Sequence, residues 1–102
     1  MTTVVIVKSE GGKEISSVST RGYKNRPLPR VEPAYYPMLG HIDPYGNTVF
    51  NRSQIEALRE EIESICRFLR VDSETFAFLG EVDVLCVEAL KRQHRYLWFY
   101  GD

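Results

Sequence analysis

Asp43-Pro44-Tyr45-Gly46-Asn47-Thr48-Val49-Phe50-Asn51-Arg52-Ser53 is the stretch of sequence that decides the fold, because the backbone has to change direction within it. In its first part, an aspartate, a proline and a glycine occupy the first, second and fourth positions of a β-turn, where each is favoured. Residues 48–50 then suit a short extended segment. Polar residues that cap helices follow at once. The stretch therefore predicts a turn, an extended segment and a helix start in direct succession.

A helix is predicted from Gln54 to Leu69. Two capping boxes can begin it, Asn51 with Gln54 or Ser53 with Glu56, and the sequence leaves both open. Acidic residues early in the segment and arginines late in it complement the helix macrodipole. Apolar side chains recur at spacings of three and four, which places them on one face: Ile55, Leu58, Ile62, Ile65, Cys66 and Leu69. The pattern predicts a helix that packs one face against a core.

A second helix is predicted from Asp72 or Ser73, either of which can cap it, to about Arg92. Apolar residues cover most of its surface, a composition typical of a helix that is buried on two sides. Gly80 lies near its middle and costs about 1 kcal/mol of helix stability relative to alanine. A break at this glycine is therefore the alternative to a continuous helix.

Strand-forming segments lie at both ends of the chain. Residues 3–7 are a β-branched run that suits a strand buried on both faces, and two glycines at 11–12 allow a tight reversal into a second strand over residues 14–20. The aromatic segment 95–100 predicts a last strand, which we expect to pair with this hairpin and to lie under both helices. The predicted fold is α+β, a small antiparallel sheet (the N-terminal hairpin plus the C-terminal strand) packed against two helices.

The composition limits the classes of function. A chain of 102 residues is about one domain, here residues 1–102. Its 13 basic and 14 acidic residues leave a formal charge of −1, which gives no overall attraction to nucleic acid or to an anionic membrane. The N-terminal segment lacks the basic lead and the apolar length of a signal peptide or a membrane span. We therefore expect a cytoplasmic protein, a monomer or a small homo-oligomer, without membrane attachment.

Residues suited to catalysis or metal binding are few. Cys66 and Cys86 stand at apolar helix positions and suit buried thiols better than a disulfide or a zinc site, because zinc ligands come in closely spaced pairs. His41 and Asp43 lie on one side of an extended segment, as an acid–base pair would, but a loop histidine beside a turn aspartate is the simpler interpretation. The sequence has no phosphate-binding loop and no nucleophile motif. It therefore predicts no enzyme, no metal and no cofactor.

Residues 21–37 are rich in proline and separate the hairpin from the turn. Proline holds the backbone extended, and the tyrosines between the prolines offer apolar area with a polar tip. A stiff backbone loses little entropy on binding, so this part of the chain is predicted to contact a partner, flanked by two acids of the first helix. The predicted partner-binding residues are Tyr35, Tyr36, His41, Asp43, Tyr45, Glu56 and Glu60.

Basic residues support an alternative function. The segment 21–30 carries Arg21, Lys24, Arg26 and Arg30, and the segment 91–95 forms a second basic group. If these groups met in the fold they would track a phosphate backbone, as in a nucleic-acid-binding or regulatory accessory protein. The near neutrality of the chain favours two solvated loop ends instead. The aromatic residues of 96–100 suit a core strand better than a base-binding surface.

Two segments resemble motifs of a group of small bacterial proteins. They are residues 43–51, of the form DPxGxTVFN, and residues 96–102, of the form YLxFxGD. Asn47 stands where many similar sequences carry an acid, and Tyr100 where an aliphatic residue is usual. Proteins of this size and kind resemble immunity proteins that neutralise antibacterial toxins. The resemblance implies a protein without catalysis of its own that binds a secreted bacterial toxin and occludes its active site.

Overall fold

A computed structural model describes residues 2–101. Over this range the chain forms four strands, three α-helices and one turn of 3-10 helix at Thr20–Gly22. The elements in chain order are β1 (Val4–Ser9), β2 (Glu14–Ser19), α1 (Pro37–Gly40), β3 (Asn47–Phe50), α2 (Arg52–Phe68), α3 (Ser73–Leu90) and β4 (Arg95–Tyr100). Gly12 takes a positive φ of 89° in the reversal between β1 and β2, a conformation that glycine adopts without strain.

The strands form one antiparallel sheet, in the order β2-β1-β4-β3 across the described part of the chain. The predicted α+β fold is confirmed, since the sheet packs against α2 and α3, and β4 pairs with the N-terminal hairpin and contacts both of these helices. The sequence did not predict that the extended segment after the turn also joins the sheet. It does so as the edge strand β3, in which Phe50 lies opposite Leu97.

The sheet buries one face and leaves the other accessible. Val5, Val7 and Phe99 are fully buried under α2 and α3, whereas Val4 and Ile6, which alternate with them, are half-buried. The prediction that the first strand is buried on both faces is therefore wrong. The β1 strand has a hydrogen-bonded neighbour on each side. However, α2 and α3 both pack on one face of the sheet, and among residues 2–101 no helix covers the opposite face.

The α2 helix begins at the earlier of the two predicted capping boxes. The side chain of Asn51 accepts the backbone N–H of Gln54 (3.0 Å), and the Gln54 side chain accepts the backbone N–H of Asn51 (2.9 Å). Ser53 is already inside the helix and donates its hydroxyl to Asn51. The buried stripe is as predicted from Ile55 to Ile65 but ends there, because the helix stops at Phe68 and leaves Leu69 exposed.

The α3 helix is capped by Asp72, whose carboxylate accepts the backbone N–H of Thr75 at 2.7 Å. This hydrogen bond lowers the pKa of Asp72 below its ordinary value. The helix continues through Gly80 without a break and ends at Leu90. Its inner face is buried, but its outer face leaves Phe76 exposed to 58%. The predicted burial on two sides is therefore wrong within the described chain.

Candidate partner-binding surfaces

The segment between β2 and β3 forms a loop that we call the proline arm, residues 23–46. Carboxylates of the main helices hold its backbone in place. Glu74 of α3 accepts the backbone N–H of Lys24 (2.7 Å) and of Asn25 (3.1 Å). Glu61 of α2 accepts the backbone N–H of Met38 (2.9 Å) and of Leu39 (3.0 Å). The arm is therefore a preformed part of the fold, although it contains little regular structure.

Apolar and aromatic contacts fix the arm further. Leu28, Leu39 and Ile42 are buried in the hydrophobic core. At the start of the arm, the ring of Tyr23 packs edge-on against Phe78, with ring centroids 5.7 Å apart. Its hydroxyl donates to Glu81 at 2.6 Å, and this hydrogen bond raises the pKa of Tyr23 to about 12. The beginning, middle and end of the arm are thus all anchored on the helices or the core.

The end of the arm is the predicted β-turn. The backbone N–H of Gly46 donates to the carbonyl of Asp43 (3.4 Å), and the Asp43 carboxylate accepts the N–H of Tyr45 (2.9 Å). The turn contacts the C-terminal motif, because the N–H of Gly101 donates to the carbonyl of Gly46 at 2.8 Å. The two motifs that resemble those of small bacterial proteins therefore meet in space and have a structural role. Asp102, the last residue of the second motif, lies outside the described residues.

The predicted contact residues of the arm differ in accessibility. Tyr35 is 79% exposed and Tyr45 is 66% exposed, so each offers most of its ring to a partner. His41 and Asp43 are exposed beside them. Tyr36 is half-buried and packs against the core, which leaves less of it free for contact. Tyr35 and Tyr45 are therefore the most exposed of the predicted contact tyrosines.

His41 and Asp43 do not form an acid–base pair in the described chain. Nδ1 of His41 lies 2.5 Å from the carbonyl of Pro37, so this nitrogen carries the proton and donates to the loop backbone. The Asp43 carboxylate is engaged with the N–H of Tyr45 in the turn. Each side chain is thus hydrogen-bonded to a separate piece of its own loop, and the arrangement organises the backbone.

Glu56 and Glu60 lie on a different surface from the arm. On α2 the arm contacts Glu61, and Glu60 lies about 100° around the helix from it. Both predicted acids instead line a groove between α2 and α3, on the side of these helices away from the sheet. We call it the helix groove, and its volume is about 600 Å³. It is lined by Glu56, Arg59, Glu60, Ile62, Glu63, Cys66, Phe76, Gly80, Asp83 and Leu90.

Sequence reasoning missed the α3 side of the helix groove. The sequence predicts burial on two sides for the helix that carries Phe76, with a break at Gly80 as the alternative, yet both residues are exposed and face the groove. The sequence signal that could have identified this surface is the number of apolar residues around α3, which exceeds the number that one buried face requires. Phe68 was missed as well. It is 74% exposed, and it lies seven residues after Glu61 on the side of α2 that contacts the arm.

The two basic groups are far apart. The end of β2 at Ser19, which leads into the segment 21–30, lies opposite Val4 of β1, whereas Arg95 lies opposite Ser9. These two positions of β1 are five residues apart, a distance of about 16 Å at ~3.3 Å per residue. The fold therefore places the two groups at opposite ends of the sheet and does not join them into one basic track.

The accessible face of the sheet carries the aromatic residues of β4. Trp98 and Tyr100 stack with centroids 5.5 Å apart and an interplanar angle of 10°. Nζ of Lys8 lies 4.9 Å from the centroid of each ring and donates to the Tyr100 hydroxyl at 2.5 Å. Phe99, in contrast, is fully buried on the other face. The C-terminal aromatic segment is therefore half core and half accessible surface.

Both cysteines are free thiols. Burial raises the pKa of Cys86 to about 12 and also raises the pKa of Cys66, so neither is a ready thiolate. Among residues 2–101, no group of three or more His, Cys, Asp or Glu side chains is arranged to hold a metal ion. Over the same range, the helices are too short or too polar to cross a membrane.

Comparison of the chain with protein-family models, with curated proteins and with solved structures finds no match in any of the three.

Proposed function

We propose that the protein is an immunity or inhibitor protein, which binds a secreted bacterial toxin in the cytoplasm and occludes its active site without catalysis. The observation that carries this proposal is the pair of exposed tyrosines, Tyr35 and Tyr45, on a proline arm whose backbone is already fixed. Tyrosine is enriched among the residues that dominate protein–protein affinity. An arm that is ordered before binding loses little conformational entropy when it docks.

The inhibitory mechanism follows from the arm's shape and anchoring. Glu61 and Glu74 attach the arm to α2 and α3, so the arm and these helices would bind the toxin as one rigid unit. The exposed rings of Tyr35 and Tyr45 would enter apolar pockets of the toxin, and the exposed carboxylate of Asp43, two residues before Tyr45, would face a basic group. Inhibition then results from exclusion of the substrate, and it needs no reactive side chain.

The test is coexpression with the product of the neighbouring gene, followed by pull-down on this protein and a toxicity assay. We expect a stable complex and loss of toxicity. The double variant Tyr35→Ala/Tyr45→Ala should weaken the complex by at least about tenfold, because each truncated anchor typically costs more than 1 kcal/mol. The matched control is Tyr96→Ala, which removes a tyrosine from the accessible sheet face and should leave affinity unchanged.

Three results would count against this proposal. The neighbouring product has no toxicity, or it is toxic but does not bind this protein, or it binds with undiminished affinity to the Tyr35→Ala/Tyr45→Ala variant. Circular dichroism and thermal unfolding of each variant establish that a lost interaction does not result from unfolding.

A nucleic-acid-binding accessory protein is the second candidate. It is favoured by one observation, the stacked rings of Trp98 and Tyr100 beside the ammonium group of Lys8. Aromatic rings on an accessible sheet face can stack with the bases of a single strand. Binding of a random single-stranded oligonucleotide should then strengthen as salt falls, and Trp98→Ala should abolish it. No binding at low salt would eliminate this candidate.

A further inference from the structure

Two local features of the helix groove do not stabilise the described part of the chain. Gly80 lies in the middle of α3 and lowers its helix stability, yet a Cβ added there would have no atom within 4 Å. Glu56 and Glu60 are one helical turn apart on α2, where two like charges repel each other. Neither carboxylate has an ion-pair or hydrogen-bond partner among residues 2–101. Both features face the same groove.

The other charges of the groove are compensated. Arg59 of α2 and Asp83 of α3 form a bidentate salt bridge across it, with N–O distances of 2.7 and 3.2 Å. Glu63 is paired with Arg67 on the same helix at 2.9 Å. Two uncompensated negative charges therefore remain, both on the α2 side. The groove favours a partner that brings positive charge to this side.

The α3 side of the groove is apolar at its two ends and carries Asp83 between them. Phe76 is 58% exposed at one end, and Leu90, fourteen residues later on the same stripe of the helix, lines the other. Gly80 lies between them and has no side chain, so the backbone of a partner can approach α3 closely at this point. From Phe76 to Leu90 the groove follows α3 over about 21 Å, at ~1.5 Å per residue.

We propose that the helix groove binds a cationic amphipathic helix of a protein partner, about 14 residues long at 1.5 Å per residue. The apolar stripe of that helix lies on Phe76, Gly80 and Leu90 and passes over the Arg59–Asp83 salt bridge. Basic side chains along one edge of the stripe pair with Glu56 and Glu60. Groove-to-groove pairing of two copies is disfavoured, because it would bring Glu56 and Glu60 of one copy towards the same acids of the other. The helix groove lies on a different side of α2 from the proline arm, so binding of this helix is independent of the proposed function.

The test uses two synthetic helical peptides with the same apolar stripe, one with lysines along its polar edge and one with glutamates. Binding is measured by fluorescence anisotropy and located by backbone amide chemical shifts. We expect the lysine peptide to bind at least about tenfold more tightly than the glutamate peptide, with the largest shifts at Phe76, Gly80 and Glu60. Raised salt should weaken the binding.

Variants of the protein make the test specific. Glu56→Lys/Glu60→Lys should reduce affinity for the lysine peptide about tenfold, whereas Glu10→Lys/Glu32→Lys, with the same change of net charge elsewhere, should leave it unchanged. Gly80→Leu fills the groove at a position with space for a side chain and should also reduce affinity about tenfold. It is expected to fold, because nothing lies within 4 Å of the new Cβ.

The proposal is overturned if the two peptides bind equally, if neither binds, or if the shifts map to the sheet face instead of the groove. It is also overturned if sedimentation shows a dimer that Gly80→Leu dissociates, since the occupant would then be a second copy.

Discussion

The backbone N–H of Gly101 donates a 2.8 Å hydrogen bond to the carbonyl of Gly46, and this contact joins the turn before β3 to the residue after β4. The fit is close, because a Cβ on Gly101 would overlap the carbonyl oxygen of Pro44. The β3 and β4 strands pair side by side, from Asn47 opposite Tyr100 onwards. The turn and the C-terminal segment thus close one corner of the sheet together, and the close fit at Gly101 explains the glycine of the C-terminal motif.

Gly101→Ala should destabilise the protein by about 1–3 kcal/mol, the usual cost of forcing an extra group into a packed site. The carbonyl groups of Asp43 and Pro44 are backbone atoms and cannot rotate away as a side chain would. Chemical denaturation measures the change. Gly11→Ala is the matched control, since a Cβ there has nothing within 4 Å, and its stability should change by less than about 0.5 kcal/mol. Equal stabilities of the two variants would contradict the close fit.

Glu61→Ala should lower the free energy of unfolding by about 2 kcal/mol, because the N–H groups of Met38 and Leu39 lose a charged acceptor. The helix α1 has only four residues, too few to be stable without hydrogen bonds from the rest of the fold. Hydrogen exchange should show these two amides losing protection while those of α2 keep theirs. Glu61→Gln retains one acceptor oxygen and should fall between the wild type and the alanine variant. Unchanged protection in Glu61→Ala would show that the arm is held by its buried residues alone.

Asn51→Ala should destabilise the protein by about 1 kcal/mol, because the N–H of Gln54 loses its cap. Asn51→Asp should keep the cap, since an aspartate accepts the same hydrogen bond. Ser53→Ala is the informative comparison, because Ser53 belonged to the alternative capping box. We expect Ser53→Ala to lower the protein's stability less than Asn51→Ala does. The opposite order in thermal unfolding would indicate that the helix begins at Ser53.

Tyr23 should ionise well above the ordinary tyrosine pKa, because its hydroxyl donates to Glu81 and its pKa is raised to about 12. The neutral phenol is the form that the folded state favours. Its contribution to stability is therefore complete below the ordinary tyrosine pKa of about 10 and is lost as the pH rises from there towards 12. Spectrophotometric titration of tyrosinate should show one late component. Tyr23→Phe should remove that component, and its persistence would assign it to another tyrosine.

Gly80→Ala should stabilise the isolated protein by about 0.5–1 kcal/mol, because alanine is the better helix former and the new methyl group meets no other atom. Gly40→Ala is the contrasting case. Its Cβ would lie 2.6 Å from Cα of Pro33, so this change should destabilise. Thermal unfolding of both variants measures the difference. A destabilised Gly80→Ala variant would mean that this glycine is already packed against something in the free protein.

The local elements could be predicted because their signals are local. The turn at Asp43–Gly46 and the buried stripe of α2 follow from residue type and spacing, and the turn and the stripe from Ile55 to Ile65 are present as predicted. The accessible faces could not be predicted in the same way. An apolar residue such as Phe76 or Ile6 carries the same signal whether a second layer covers it or not, and the choice depends on where the helices pack.

The predicted binding residues show the same division. Tyr35 and Tyr45 lie in a proline-rich loop and are exposed there, as expected of loop residues. Glu56 and Glu60 were grouped with them because they are near in sequence. The fold separates them, because the arm docks on the Glu61 side of α2 and α3 packs along the other side.

The sequence by itself determined the α+β class, the hairpin and the limits of α2 and α3 to within a few residues. These depend on contacts between residues close in the chain, such as the cap that Asn51 and Gln54 form. The tertiary structure alone decided that β3 joins the sheet beside β4, that Gly101 closes on Gly46, and that α2 and α3 share one face of the sheet. These arrangements join residues far apart in the chain, and burial and hydrogen bonding select them only once the whole chain is compact.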